Sequence, residues 1–166
     1  RLDKDTSGLM VVAKNDAVHQ NLADQLKKRS VIKKYLAMVW GTPDSNEGLI
    51  EAPVGRHPVH RQKMAVIPNG RYALTRYQIK KVAGEFSLVE VFPSTGRTHQ
   101  IRVHLSSIGH PIVGDPVYSN RSVSFLTRQF LHAAFLGFEH PNTGQDLRFD
   151  SQLPNDLQEA LRATGF

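Results

Sequence analysis

The chain has 166 residues, 40% of them hydrophobic, and a formal net charge of +6. That length and apolar content suit one domain with a real core and exclude a disordered chain, while the positive charge favours a polyanionic partner. The absence of cysteine excludes disulfides, thiolate nucleophiles and zinc–cysteine sites, and no apolar run is long enough to cross a membrane.

Arg1 to Gly8 reads as a turn rich in Asp, Thr and Ser, residues whose side chains bond neighbouring backbone N–H groups. Asp5 and Thr6 suit that turning role. Asp3, beside Leu2 and ahead of the apolar run from Leu9, is the candidate catalytic carboxylate. Residues 9–14 predict a strand, after which Asn15 or Asp16 caps a helix carrying Val18, Leu22 and Leu26 on one face. Residues 31–40 predict a second strand, and the Pro, Asp, Ser and Asn of 41–48 a loop before a short strand at 49–54. Basic residues fall in two places: Lys27, Lys28, Arg29, Lys33 and Lys34 at a helix-to-strand junction, and Arg56, His57, His60, Arg61 and Lys63 between two strands. The second reads as a loop that grips phosphates.

Residues 64–67 and 72–82, joined by Pro68-Asn69-Gly70, predict a hairpin, because Asn-Gly tolerates the positive dihedrals of tight turns. Residues 86–92 continue the sheet as a strand covered on both faces over part of its length. Thr98 to Ile108 predicts a helix with Ile101, Leu105 and Ile108 on one stripe, Arg102 beside it, and Gly109 with Pro111 as its stop. Strands at 130–138 and 147–149 flank a turn at Asn142-Thr143-Gly144, and a last helix opens at Pro154 with Leu157 and Leu161 facing inward. Hairpin-joined strands with a few helices predict an α+β domain with a mainly antiparallel mixed sheet and flanking helices. No internal repeat or linker divides it.

Two segments together carry a resemblance: Arg1-Leu2-Asp3-Lys4-Asp5-Thr6-Ser7-Gly8, and Gly96-Arg97-Thr98-His99-Gln100-Ile101-Arg102 with its continuation to Gly114-Asp115. They resemble the RluA-type RNA pseudouridine synthases, most like the members that modify large-subunit ribosomal RNA. Lys34-Tyr35-Leu36-Ala37-Met38-Val39-Trp40-Gly41 and Leu131-His132-Ala133 through His140-Pro141 match two further family blocks. The resemblance implies the family's catalytic fold without its N-terminal part. Residues 1–166 would be a single catalytic domain without the separate RNA-binding domain or the preceding histidine that family members commonly carry.

The resemblance also implies roles. Asp3 is the catalytic aspartate, Arg102 its ion-pair partner and Tyr35 the ring at the target base. Leu131 is an apolar contact to the base, and Arg1 matches the arginine implicated in flipping the nucleotide from its stack. Arg97 would bind phosphate, with His99 and the Arg56, Arg61 and Lys63 loop also facing RNA. Isomerising uridine breaks the ribose–nitrogen bond, turns the uracil and rejoins it through carbon, so neither metal nor cofactor is called for. Asp3 either attacks the anomeric carbon or deprotonates the sugar, and the residues do not choose. A fixed cation would keep it ionised beneath an enclosing base.

The expected partner is ribosomal RNA, with transfer RNA the alternative substrate and no membrane or small-molecule cofactor, and the chain is expected to be cytoplasmic, with a monomer the favoured state. Other readings fit less well. The phosphatase pattern Asp-x-Asp-x-Thr is broken because Thr6 follows Asp5 directly, and a glycosidase lacks a second carboxylate for Asp3. A noncatalytic RNA-binding fragment is the rival from another class.

Overall fold

In the computed structural model, which describes residues 1–166, the chain runs through β1 (Ser7–Gly8), α1 (Asp16–Lys28), β2 (Ile32–Trp40), β3 (Glu47–Glu51), β4 (Val54–Arg56), β5 (Met64–Val66), β6 (Leu74–Ala83), β7 (Phe86–Pro93), α2 (Gln100–Ser107), β8 (Leu131–Glu139), β9 (Asp146–Asp150) and α3 (Asn155–Thr164). Seven strands form one mixed sheet in the order β1-β8-β2-β7-β6-β3, with β9 also on β8, while β4 and β5 pair separately. Only β1 runs parallel to its neighbour. The α+β architecture agrees with the sequence pattern.

Interior strands β2 and β7 are apolar on consecutive residues because both of their faces are covered: Ala37 to Trp40 are all buried, as are Leu88, Val89 and Val91. Ile101 and Leu105 of α2, Ile112, Phe130, and Leu157 and Ala160 of α3 complete the same core. Leu105 and Leu157 are fully buried, each contributing roughly 1.5–3 kcal/mol by leaving water. Asn15 caps α1, accepting from the Val18 N–H.

The strand expected over 9–14 does not form. β1 is only Ser7–Gly8, and the Leu9 N–H still donates to the Ala133 carbonyl at 3.0 Å before the chain departs. Continuing in register would bring Met10 to Phe135, whose outer side is taken by Asp150 of β9. The expected 64–82 hairpin is also absent. β5 pairs with β4, whereas β6 lies between β3 and β7. Gly70 has no positive φ; it is there because a Cβ would come within 2.7 Å of the Val54 backbone. The predicted 49–54 strand divides at Ala52-Pro53 between β3 and β4. α2 starts at Gln100, since His99 ahead of it is left-handed at φ 55°.

Candidate active site

Asp3 stands on a turn that the fold clamps from several sides. The Thr6 N–H donates to the Asp3 carbonyl at 3.1 Å, and Asp5 turns the chain at φ 67°. Gln129, buried, donates to the Lys4 carbonyl at 2.6 Å, and Arg128 donates to that of Asp5 at 2.9 Å. Ser7 is bonded to His132 Nδ1 at 2.9 Å. Gly8, at φ 109°, lies so close to β8 that a Cβ would strike the Ala133 backbone. The small residues after Asp3 therefore seat its turn against the sheet, leaving the Asp3 side chain 19% exposed and reachable.

Arg102 reaches that carboxylate from α2. Its Nη1 is 3.6 Å from Asp3 Oδ2, but its shorter partner is Asp115, which accepts from Nε at 2.7 Å and Nη2 at 2.9 Å. Arg102 and Asp115 are both buried, and Asp115 Oδ1 also accepts from the Val117 and Tyr118 N–H groups. The bidentate fork fixes the guanidinium plane, so its third nitrogen is aimed at Asp3. Burial opposes the charge of Arg102, yet the hydrogen bond and charge of Asp115, and then Asp3, outweigh it and raise its pKa. The Tyr118 ring centroid lies 5.1 Å from the guanidinium carbon, and its hydroxyl is bonded to His99 Nδ1 at 2.8 Å. Burial, then the Arg102 charge, holds His99 below the ordinary imidazole value.

The preceding loop is built by Gln100, which is buried. Its Oε1 accepts from Thr95 Oγ1 and the Arg97 N–H, while Nε2 donates to the Leu74 carbonyl and Thr75 Oγ1. His104 bridges Thr75 Oγ1 and the Ala52 carbonyl, both at 2.9 Å. These two side chains are structural fasteners between α2 and the strands.

Tyr35 comes from β2 beside a β-bulge: Lys34 faces Phe135 but Tyr35 faces Ala133, leaving Ala134 as the extra residue on β8. Bulges re-aim side chains, and this one lies where β1 delivers the Asp3 turn. The Tyr35 hydroxyl bonds to no protein group in the hydrogen-bond network around Asp3, and burial, then the Asp3 charge, raises its pKa.

Asp3, Tyr35, Arg1, Arg56, Arg97 and Leu131 line one cavity of about 670 Å³, within the roughly 300–1,000 Å³ range of ligand sites. Arg1 donates to Thr98 Oγ1 at 2.7 Å, and Arg97 Nε to the Tyr72 carbonyl at 2.9 Å. Leu131 is buried in the main core as well as lining the cavity. Arg102 and His99 stand behind the wall. Arg56 donates to the Arg61 carbonyl, closing the β4–β5 loop on itself, and Lys63 donates to the Val117 carbonyl. Neither Arg61 nor Lys63 lines the cavity.

A model of the RNA pseudouridylate synthase family matches residues 1–107, which contain Asp3, Tyr35 and Arg102. The chain belongs to that family. An uncharacterized RNA pseudouridine synthase of Chloroflexus aurantiacus is 53% identical over 98% of this chain and 51% of its own length. The ribosomal large subunit pseudouridine synthase D of Nitrosomonas europaea is 48% identical over 98% of this chain and 49% of its own. The chain thus spans about half the length of these curated relatives. Among solved structures, human RNA pseudouridylate synthase domain containing 4 superposes with a TM-score of 0.81 at 28% identity, covering 99% of this chain and 74% of that one.

Within this pseudouridylate synthase framework, sequence reasoning carried Asp115 in the second motif without giving it a role and missed Tyr118. Asp115 follows Gly114 and precedes Pro116, a context that reads as an ordinary turn. The usable signal was Gly114: at φ 75° a Cβ there would strike the Arg128 carbonyl, so the glycine marks a crowded backbone crossing.

Proposed function

We propose that residues 1–166 form a single catalytic domain of an RNA pseudouridine synthase in which Asp3 is the catalytic carboxylate. The observation that carries this reading is the Asp3–Arg102 pair at 3.6 Å, opening onto a cavity shared with Tyr35, in a chain of this family. The cavity accepts a uridine flipped from the RNA. Asp3 then attacks the ribose anomeric carbon or deprotonates the sugar, and the bond to uracil N1 breaks. The uracil turns and C5 joins the anomeric carbon as the bond to Asp3 breaks or as Asp3 returns the proton to the sugar. C5 gives up its proton and N1 gains one, so Asp3 is regenerated and no redox partner enters the balance. Arg102 stabilises the Asp3 carboxylate beneath the base. Tyr35 supplies a ring for the uracil and a hydroxyl that stays protonated near neutral pH, and Leu131 an apolar contact. Arg1 supports the flipped nucleotide, while Arg56, Arg97, Arg61 and Lys63 meet the RNA backbone.

Large-subunit ribosomal RNA is the substrate we favour, because several relatives 41–48% identical are named ribosomal large subunit pseudouridine synthase D. A ribosomal RNA substrate supports a cytoplasmic location, and no helix is long and apolar enough to cross a membrane. The test is a pseudouridine-specific chemical readout of ribosomal and transfer RNA incubated with the chain or with Asp3→Asn. Product from the chain and none from the variant, at unchanged RNA affinity, is expected. Product from Asp3→Asn would overturn the assignment, and RNA binding without product from the unaltered chain would favour a binding module.

A further inference from the structure

Away from Asp3, the same cavity has a second cationic feature, in which Arg97 is joined by Arg29 and Arg71, two residues that no role above accounts for. Arg29 holds the left-handed C-cap of α1 at φ 62°, and its guanidinium carbon lies 5.3 Å from the Tyr72 ring centroid. Arg71 is fixed through its backbone, whose N–H and carbonyl exchange two hydrogen bonds of 2.9 Å with Val54. Arg97 is held by its Nε bond to the Tyr72 carbonyl, which leaves its terminal nitrogens uncommitted. Arg71 and Arg97 both line the cavity.

Three arginines of the fold are matched with carboxylates: Arg102 with Asp115, Arg121 with Glu85 and Arg128 with Asp156. Arg29, Arg71 and Arg97 have no such partner among the ion pairs. Their mutual proximity is felt, since burial and then the charges of Arg71 and Arg29 lower the Arg97 pKa. The dipole at the α1 C-terminus favours cations at Lys27, Lys28 and Arg29, but it explains neither Arg71 nor Arg97. Like charges gathered without a counter-ion, two of them lining a cavity sized for a nucleotide, fit an anion delivered by the ligand.

We propose that Arg29, Arg71 and Arg97, gathered around Tyr72, form a seat for one backbone phosphate of the RNA strand beside the nucleotide held in the cavity. This rests on the pseudouridine synthase reading and adds to it a fixed point of strand register. A single shared phosphate also predicts non-additivity: once Arg71 is neutralised, neutralising Arg29 removes little more.

The experiment is ethylation interference on in-vitro-transcribed large-subunit ribosomal RNA, which scans every phosphate whichever uridine is the target. It is run with the chain, with Arg71→Gln and with Arg29→Gln/Arg71→Gln, alongside affinity measurements and pseudouridine mapping of the same RNA. The expected result is one phosphate, next to the Asp3-dependent product, whose ethylation weakens the unaltered chain and is silent in both variants, with affinity about tenfold lower in each. Interference identical in all three proteins would overturn the seat while leaving the Asp3 chemistry intact. Additive losses at separate phosphates would overturn it in favour of independent surface contacts. A variant-sensitive phosphate on RNA that gains no product would keep the seat and sink the catalytic reading. Inorganic phosphate competing equally with RNA binding by all three proteins would also count against it.

Discussion

Asparagine at Asp115 isolates the charge that holds Arg102. In Asp115→Asn the amide oxygen can still accept from Val117, Tyr118 and Arg102 Nη2, as Oδ1 does now. The amide nitrogen, however, replaces Oδ2 opposite Arg102 Nε, setting donor against donor where a 2.7 Å charge-assisted bond stood. With side-chain exposures of 5% for Arg102 and 0% for Asp115, solvent cannot screen the loss. Removing one partner of a buried pair costs about 3–5 kcal/mol; Asp3, already 3.6 Å away, offsets part of it, so about 3 kcal/mol is expected. Urea titration followed by the fluorescence of Trp40, the single tryptophan, 5% exposed and capped by Arg121, reads this directly. A loss below about 1 kcal/mol in Asp115→Asn would refute the reasoning, showing that Asp115 is not what neutralises Arg102.

Acid should weaken the fold through its buried histidines as pH falls below neutrality. His99, His104 and His132 are each held below the ordinary imidazole value, chiefly by burial, so the unfolded chain binds more protons as pH falls. Stability present at pH 7 is lost as pH drops through about 6.5 and on toward the folded values; urea midpoints at about pH 7.5 and about pH 5.5, on either side of that value, measure it. His104→Gln should flatten the slope, and a pH-independent midpoint contradicts the account. Tyr35→Phe keeps the ring and removes a hydroxyl with no partner near Asp3, so turnover should fall more than about tenfold at unchanged RNA affinity; equal kcat would confine Tyr35 to packing. Gly8→Ala forces a Cβ into the Ala133 backbone at φ 109°, so a loss of about 2 kcal/mol or more is expected, and an unchanged thermal midpoint would show that β1 can leave β8 without consequence.

Elements with strong periodicity or caps were legible from the residues. The apolar run to Trp40, the Asn15 cap and the Leu157 and Leu161 stripe led to β2, α1 and α3 within a residue or two. Elements decided by competition were not. Leu9 to Lys14 has strand chemistry, but β9 occupies the edge it would need. Asn69-Gly70 has hairpin chemistry, but Gly70 answers to a crowded backbone rather than to a turn. At the site, Asp3, Tyr35 and Arg102 were read from ordered motifs, and Asp115 stood in the second of these without a role, whereas the Arg29, Arg71 and Arg97 cluster depends on contacts between distant segments that no local window contains.

The fork of Arg102 joins Asp3 near the start of the chain to Asp115 beyond α2. Such a joint closes only after the Asp3 turn has docked on β8, α2 has settled on β6 through Gln100 and His104, and the loop to Tyr118 has folded over it. Contacts this far apart in sequence are the slow part of folding, because loop closure precedes any reward from the contact. A refolding chain should therefore regain secondary structure first and the Asp3–Arg102–Asp115 arrangement last, making that arrangement a clock for the final step of assembly rather than for collapse.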